Sequence, residues 1–337
     1  MKIHYYSTIP PPVFPGTEAM MKDIEQLMGE FGGEFLNHYP FRSHIPGFPQ
    51  AFIGMQHMKE LRSKDRDADI HHVFLSRLYS LPVLRTLKKP VVCSVVSTVS
   101  SMIGPVKNFP YHVVVSNSGE GELLRSRGIT RFSIITPGID TSAIPPGNFS
   151  YDGGEFVLFC GSAPWVSSHF QKKGFDLLLD VIGEKNDLRL VCLWRGILYD
   201  EFMTRIEDAG VTARVEVINK KVDVFQVLSR AHAGIVLSEL PGDVAAFPRS
   251  LLESLVAGMP VIASRCMGIS EYIASNRCGC VVESFSTDHL IQCIETIKAR
   301  YIPMVRNANE RGRTDFSKER MVDSFRELYS TLIEQQK

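Results

Sequence analysis

The side chains best able to do chemistry cluster in the later half of the chain. Between Pro241 and Ile273 the sequence reads PGDVAAFPRSLLESLVAGMPVIASRCMGISEYI. Pro248 suits a first helical turn, because its missing N–H is an orphan there in any case, and Gly258 suits a left-handed stop. Leu251, Leu252, Leu255 and Val256 give the helix between them an apolar face. Pro260 keeps the helix from resuming, so Val261 to Ser264 reads as a short buried strand running into a Cys266-Met267-Gly268 loop. A second helix starts at about Ser270, with Glu271 in its first turn. Two helix N-termini thus lie close along one strand-helix-strand-helix unit, and each offers oriented N–H groups to an anion.

Cations and a carboxylate accompany this unit. Gly161-Ser162 is followed by Lys172-Lys173-Gly174-Phe175-Asp176, which opens a helix carrying Leu177, Leu178 and Leu179. An ammonium here would neutralise a phosphate; alternatively, paired lysines before a helix form a solvated turn. Glu253 can accept hydrogen bonds from two vicinal hydroxyls at once, or stand simply on the surface. Arg249 reads either as a phosphate ligand or as an i,i+4 partner of Glu253 on the solvent face, and Arg195 is a second candidate cation. The sequence contains no His-Glu-x-x-His, and its Asp-x-Asp spacing, Asp65-Arg66-Asp67-Ala68-Asp69, lies far along the chain from these residues, so no metal is expected.

The elements that must position these residues alternate along the chain. Strand patterns run at Lys2 to Ser7, Asp69 to Ser76, Pro90 to Ser97, Tyr111 to Ser116 and Phe132 to Thr136, with helical stretches such as Ser80 to Leu87 and Gly119 to Arg127 between them. A Pro-rich loop to Gly16 precedes a helix capped by Thr17. After a Pro- and Gly-containing segment, strands recur at Glu155 to Gly161, Asp187 to Trp194, Arg214 to Ile218, Ala233 to Ser238, Pro260 to Ser264 and Cys280 to Val282. Strands alternating with helices argue for parallel sheets with crossover helices, which bind ligands beyond the strands' carboxyl ends. A last amphipathic helix spans Phe316 to Gln335, with Met321, Val322, Phe325, Leu328, Tyr329 and Leu332 on one side.

Composition narrows the function classes. The 337 residues suffice for two ordinary domains, and 44% hydrophobic residues with zero formal charge point to a globular chain without a global field for nucleic acid. No long apolar run and no signal-peptide core are visible, and the seven scattered cysteines fit buried thiols in a reducing compartment. A cytoplasmic protein is expected. The basic stretch Lys59 to Arg66 reads as a solvated helix end or as a peripheral contact to anionic headgroups at an inner membrane surface.

The stretch around Glu253 resembles the donor half of retaining glycosyltransferases of family 4. There the pattern is a glutamate, a Phe-Gly or Phe-Pro pair, a second glutamate eight residues after the first, then Ala-x-Ala-x-Gly-x-Pro-Val. Phe247-Pro248, Glu253, Gly258, Pro260 and Val261 fall in register, while the first glutamate's position holds Ala245. Pro137-Gly138-Ile139-Asp140 resembles the family's Pro-Asn-Gly-Val-Asp element. Lys173 matches the lysine of its Gly-Arg…Lys-Gly element, whose arginine is replaced by Ser162.

The resemblance implies an α/β protein of GT-B fold, two Rossmann-like doubly wound parallel-sheet domains facing a central cleft. Residues 1–140 would form the acceptor domain, 141–154 the linker, 155–315 the nucleotide-sugar domain, and 316–337 a helix crossing back to the first domain. It implies retaining transfer of a sugar from a nucleotide-diphosphate donor, such as a UDP- or GDP-sugar, to a hydroxyl of a glycan or lipid-linked acceptor, with no cofactor. Glu253 would hold the ribose, Lys173 the diphosphate, and Arg249 would compensate for Ser162. Gly16, Gly161, Asn219, Phe247, Pro248, Ser250 and Leu251 would complete the donor site, and His72 and Ser97 would lie on the acceptor side. His72 also reads as a packed strand histidine, and Gly16 as a turn glycine. Ala245 and Ser162 keep open a catalytically impaired partner or glycan-binding subunit; a hydrolase or epimerase of the same fold is a third reading.

Overall fold

The computed structural model describes residues 1–7, 19–37, 55–75, 78, 81–96, 109–142, 144, 147, 149–194 and 197–336. Gly16, Ser97 and Arg195 lie outside the described residues. The chain divides into two compact units, one of residues 1–11, 18–137 and 321–337, the other of residues 12–17 and 138–320.

The first unit holds strands β1 (Ile3–Ser7), β2 (Glu34–Asn37), β3 (Ile70–Leu75), β4 (Val91–Val95), β5 (His112–Val115) and β6 (Phe132–Ile134). Its helices are α1 (Ala19–Phe31), α2 (Met58–Asp65) and α3 (Ser118–Ser126). All strand pairs are parallel, in the order β2-β1-β3-β4-β5-β6. β2 is a strand that periodicity did not reveal, because four residues alternate too briefly to be read. Its entry at Gly33 has φ +107°, and a Cβ there would stand 2.1 Å from the Ile3 carbonyl oxygen, so only glycine lets the chain turn in beside β1. The helix expected at Ser80 to Leu87 is a 3₁₀ turn over Pro82–Thr86, since a proline pushes the preceding Leu81 into extended backbone.

The second unit contains β7 (Phe156–Cys160), α4 (His169–Lys172), α5 (Phe175–Glu184), β8 (Leu188–Leu193), α6 (Tyr199–Asp208), β9 (Val215–Ile218), α7 (Val224–Leu228), β10 (Ala233–Val236) and α8 (Arg249–Ala257). It continues with β11 (Val261–Ser264), α9 (Ser270–Asn276), β12 (Gly279–Val282), α10 (Thr287–Ala299) and α11 (Tyr301–Asp315). All six strands expected from the sequence are present and form a parallel sheet ordered β12-β11-β10-β7-β8-β9. From β7 the chain builds outward through β8 and β9, then returns to the other side of β7 with β10. This is the Rossmann order, with its reversal between β7 and β10. Residues 141–154, expected as a linker, group with this unit, where Arg313 donates to the carbonyls of Thr141 and Ile144 at 3.1 and 3.2 Å.

Apolar residues cover both faces of each sheet, as double winding requires. The last helix, α12 (Lys318–Glu334), places Met321, Val322, Phe325, Leu328 and Tyr329 in the core of the first unit beside Ile3, Tyr5 and Ile24.

Cys280 and Cys293 form a disulfide between β12 and α10, with Cα atoms 5.5 Å apart. This corrects the expectation of free thiols throughout; the pairing joins a strand to the helix that packs on it, which spacing alone does not disclose. Cys93, Cys160, Cys192 and Cys278 are buried free thiols.

Candidate functional site

The expected donor residues collect at the carboxyl ends of the strands in the second unit. Gly161 follows β7, residues 237–248 connect β10 to α8, and Asn219 follows β9. Helix α8 begins one residue later than expected: Pro248 is its cap in extended backbone (φ −61°, ψ 128°), because a residue without an N–H loses nothing just outside the first turn. The helix ends at Gly258 in the left-handed region, as its composition requires. Leu251, Leu252, Leu255 and Val256 are wholly buried, which fixes the rotation of α8 about its axis.

That rotation places Arg249 and Glu253 one turn apart. Arg249 Nε donates to Glu253 Oε1 at 3.1 Å, and the side chains are only 12% and 8% exposed. The i,i+4 pair therefore exists, but it is enclosed and not on the solvent face. Arg249 Nη1 reaches the Gly138 carbonyl at 3.4 Å, in the Pro137-Gly138-Ile139-Asp140 element.

Close backbone approach brings the β7 loop to the start of this helix. A Cβ on Gly161 would lie 2.7 Å from the Ser250 Cβ, so glycine is what permits the contact. Ser162 and Ala163 continue the loop, and the Lys173 ammonium donates to the Ala163 carbonyl at 3.3 Å. Lys173 is 7% exposed, an enclosure that rules out the solvated turn. Gly174 is left-handed (φ +67°) and breaks the chain between α4 and α5; a Cβ there would stand 2.8 Å from Leu237. With Glu239 N donating to the Lys172 carbonyl at 2.8 Å, the loops after β7 and β10 are joined at the point where strand order reverses.

Several groups missed in the sequence belong to this region. The Cys160 thiol at the end of β7 is held below its ordinary value, first by a hydrogen bond with Cys192 and further by the Ser162 N–H and the Lys173 charge. His169 of α4 has its pKa lowered by burial and by Lys173, while Asp243 acts in the opposite direction. Asp243 Oδ2 and Asn219 Oδ1 are buried oxygens with no hydrogen-bond partner among the described residues, an exception in folded proteins that calls for an explanation. Asn219 was expected on the base side. For Asp243 the available signal was its place in a Pro-Gly-Asp turn two residues before Ala245.

His72 does not reach any acceptor. It is fully buried in β3, with Nδ1 2.7 Å from Tyr329 Oη and Nε2 2.7 Å from Ser94 Oγ. Asp65, expected at a solvated helix end, is buried too. Its carboxylate accepts from Lys88 N at 3.1 Å, Lys89 N at 3.0 Å and His71 Nε2 at 3.2 Å. Among the described residues, no group of three or more His, Cys, Asp or Glu side chains is arranged to hold a metal, and no helix is long and apolar enough to cross a membrane.

Residues 153–315 match the family model described as "Glycosyl transferases group 1". No curated protein is similar enough in sequence to count as a relative. Among solved structures, a glycosyltransferase from Rickettsia africae superposes with a TM-score of 0.73 at 16% identity, over 98% of this chain and 99% of that one. Anabaena Alr3699/HepE in complex with UDP-glucose gives 0.71 at 15% identity, over 98% and 100%. Sucrose-phosphate synthase from Thermosynechococcus elongatus gives 0.70 at 14%, over 99% and 100%. At such identities the likeness carries the fold, and the family match carries the second unit. The chain has the GT-B fold, and its residues 153–315 match the glycosyl transferases group 1 model.

Proposed function

We propose that this protein is a retaining glycosyltransferase that moves a sugar from a nucleotide-diphosphate donor, a UDP- or GDP-sugar, to a hydroxyl of a glycan or lipid-linked acceptor. The observation that carries the proposal is the joining of the β7 and β10 loops at the sheet's reversal point, with the enclosed Lys173 ammonium on the β7 side and the Arg249–Glu253 pair at the start of the helix that follows. A leaving diphosphate needs positive charge and oriented N–H groups where its own charge develops. Lys173 supplies the charge, and the first turn of α8 supplies the N–H groups. Glu253 accepts from the ribose hydroxyls, with its carboxylate oriented by Arg249. The orphan oxygen of Asn219 accepts from an N–H of the base. Retention without a protein nucleophile lets the departing phosphate take the acceptor's proton, so no side-chain base is required.

The similar HepE structure is a complex with UDP-glucose, which supports a uridine nucleotide as the first donor to test. Transfer is expected to proceed with no added metal, and a chelator that stopped it would refute that part. The main test is donor titration against the full chain and its Lys173→Ala variant. Binding of a UDP-sugar that Lys173→Ala weakens by at least about tenfold supports the reading, as expected for loss of one charged phosphate contact. Unchanged binding sinks it. Ala245 and Ser162, uncharged where the resembled family carries charge, favour a second reading as a non-catalytic partner subunit. Donor binding without product across a panel of acceptors would select that reading.

A further inference from the structure

A cavity of about 1070 Å³ within the first unit lies at the amino ends of the strands β4, β5 and β6, opposite the edge where doubly wound sheets bind substrate. Its walls bring Arg85, Lys89 and Arg131 together with His112, Tyr111 and Phe132, and no aspartate or glutamate lines it. Among the described residues, none of the three cations forms an ion pair with a carboxylate. The nearby Asp65 carboxylate is already engaged by the Lys88 and Lys89 amides and by His71.

The backbone of the wall is tied down at several points. Asp65 pins the loop that carries Lys89, and Gln336 Nε2 holds the Lys88 carbonyl at 2.9 Å. Tyr111 Oη donates to the Leu81 carbonyl at 3.2 Å, fixing the ring beside the turn that bears Arg85. His112 lies 2.9 Å from Ser133 Oγ next to Arg131. Three like charges around one hollow repel one another, and a polyanion relieves that repulsion. Two guanidinium groups suit phosphate best, since each can donate two parallel hydrogen bonds to it.

We infer that this cavity is a second anion site, separate from the donor site, that takes a phosphate-bearing ligand. The phosphate belongs either to a soluble phosphorylated molecule or to a phospholipid headgroup. Tripolyphosphate is the probe for the first source, titrated calorimetrically into the full chain carrying Lys173→Ala, so that binding at the proposed donor site is weakened. One binding event is expected, weakened at least about tenfold by adding Arg85→Gln and Arg131→Gln, and weakened less by Arg85→Lys and Arg131→Lys, which keep the charge but lose the paired hydrogen bonds. Co-sedimentation with phosphatidylglycerol vesicles, against phosphatidylcholine vesicles, probes the second. Vesicle binding lost in the Gln variants, with no response to tripolyphosphate, assigns the site to a headgroup. The proposal is overturned if neither probe binds, or if binding is indifferent to the Gln substitutions in chains whose melting temperature shows them folded.

Discussion

Arg249 and Glu253 stand one turn apart on α8 and meet through a 3.1 Å hydrogen bond in an environment that leaves each side chain about a tenth exposed. An arginine expected to replace a missing phosphate ligand is thus committed to the carboxylate one turn on. Removing one member of an enclosed pair strands the other. Arg249→Ala is expected to cost about 3 kcal/mol of stability. Arg249→Met with Glu253→Leu should restore most of it while donor binding stays lost. Urea unfolding and UDP-sugar titration of the variants check this; a stable, donor-binding double variant would remove Glu253 from the site.

The contact between Gly161 and Ser250 gives a second prediction. Gly161→Ala drives a Cβ to 2.7 Å from the Ser250 Cβ and pushes the β7 loop off the start of α8. Donor affinity should fall by about tenfold or more, since groups misplaced by about 1 Å lose much of their effect. Ser250→Gly removes the opposing atom, so the double variant should recover. Failure of the second change to rescue the first would mean that the loop is not what carries the loss.

Acid stability should report on the buried histidines of β3. Burial lowers His71 from 6.5 to about 4, against the pull of Asp65, and lowers His72 to about 3. Groups whose folded pKa lies below the unfolded value keep their full contribution above pH 6.5 and lose it as pH falls toward 4 and 3. Unfolding free energy should therefore drop between pH 7 and pH 4, on the order of 5 kcal/mol from the two together. Melting curves across that range test it, and His72→Gln should flatten the slope. A profile that rises toward acid would contradict the assignment.

The disulfide between Cys280 and Cys293 closes a loop with a sequence separation of 13 residues. Constraining the unfolded chain to that extent is worth about 3 kcal/mol in the chain-entropy model. Cys280→Ser with Cys293→Ser should lower the melting temperature of the oxidised protein, and a reductant should lower that of the parent but not of the double variant. Equal melting with and without reductant would show that the bond contributes nothing.

Much of the second unit was legible in the residues alone. Its six strands, the stop at Gly258 and the apolar face of α8 follow from periodicity and backbone chemistry that act within a few residues of each other. The pattern around Glu253 likewise pointed to the carboxyl ends of these strands, where the proposed donor residues lie. Other features depend on partners far away in the chain. The same histidine in β3 could have faced a ligand or the core, and only Tyr329, 257 residues later, decided for the core. Asp65 became a buried acceptor because the Lys88 and Lys89 amides arrive opposite it. Lys173 and Arg249 were visible as cations, and Glu253 as a partner one turn from Arg249, but their enclosure and the Ala163 carbonyl that Lys173 meets exist only in the assembled unit. Local sequence sets which backbone conformations are cheap. Burial sets which charges must find a partner, and burial is a property of the assembled sheet.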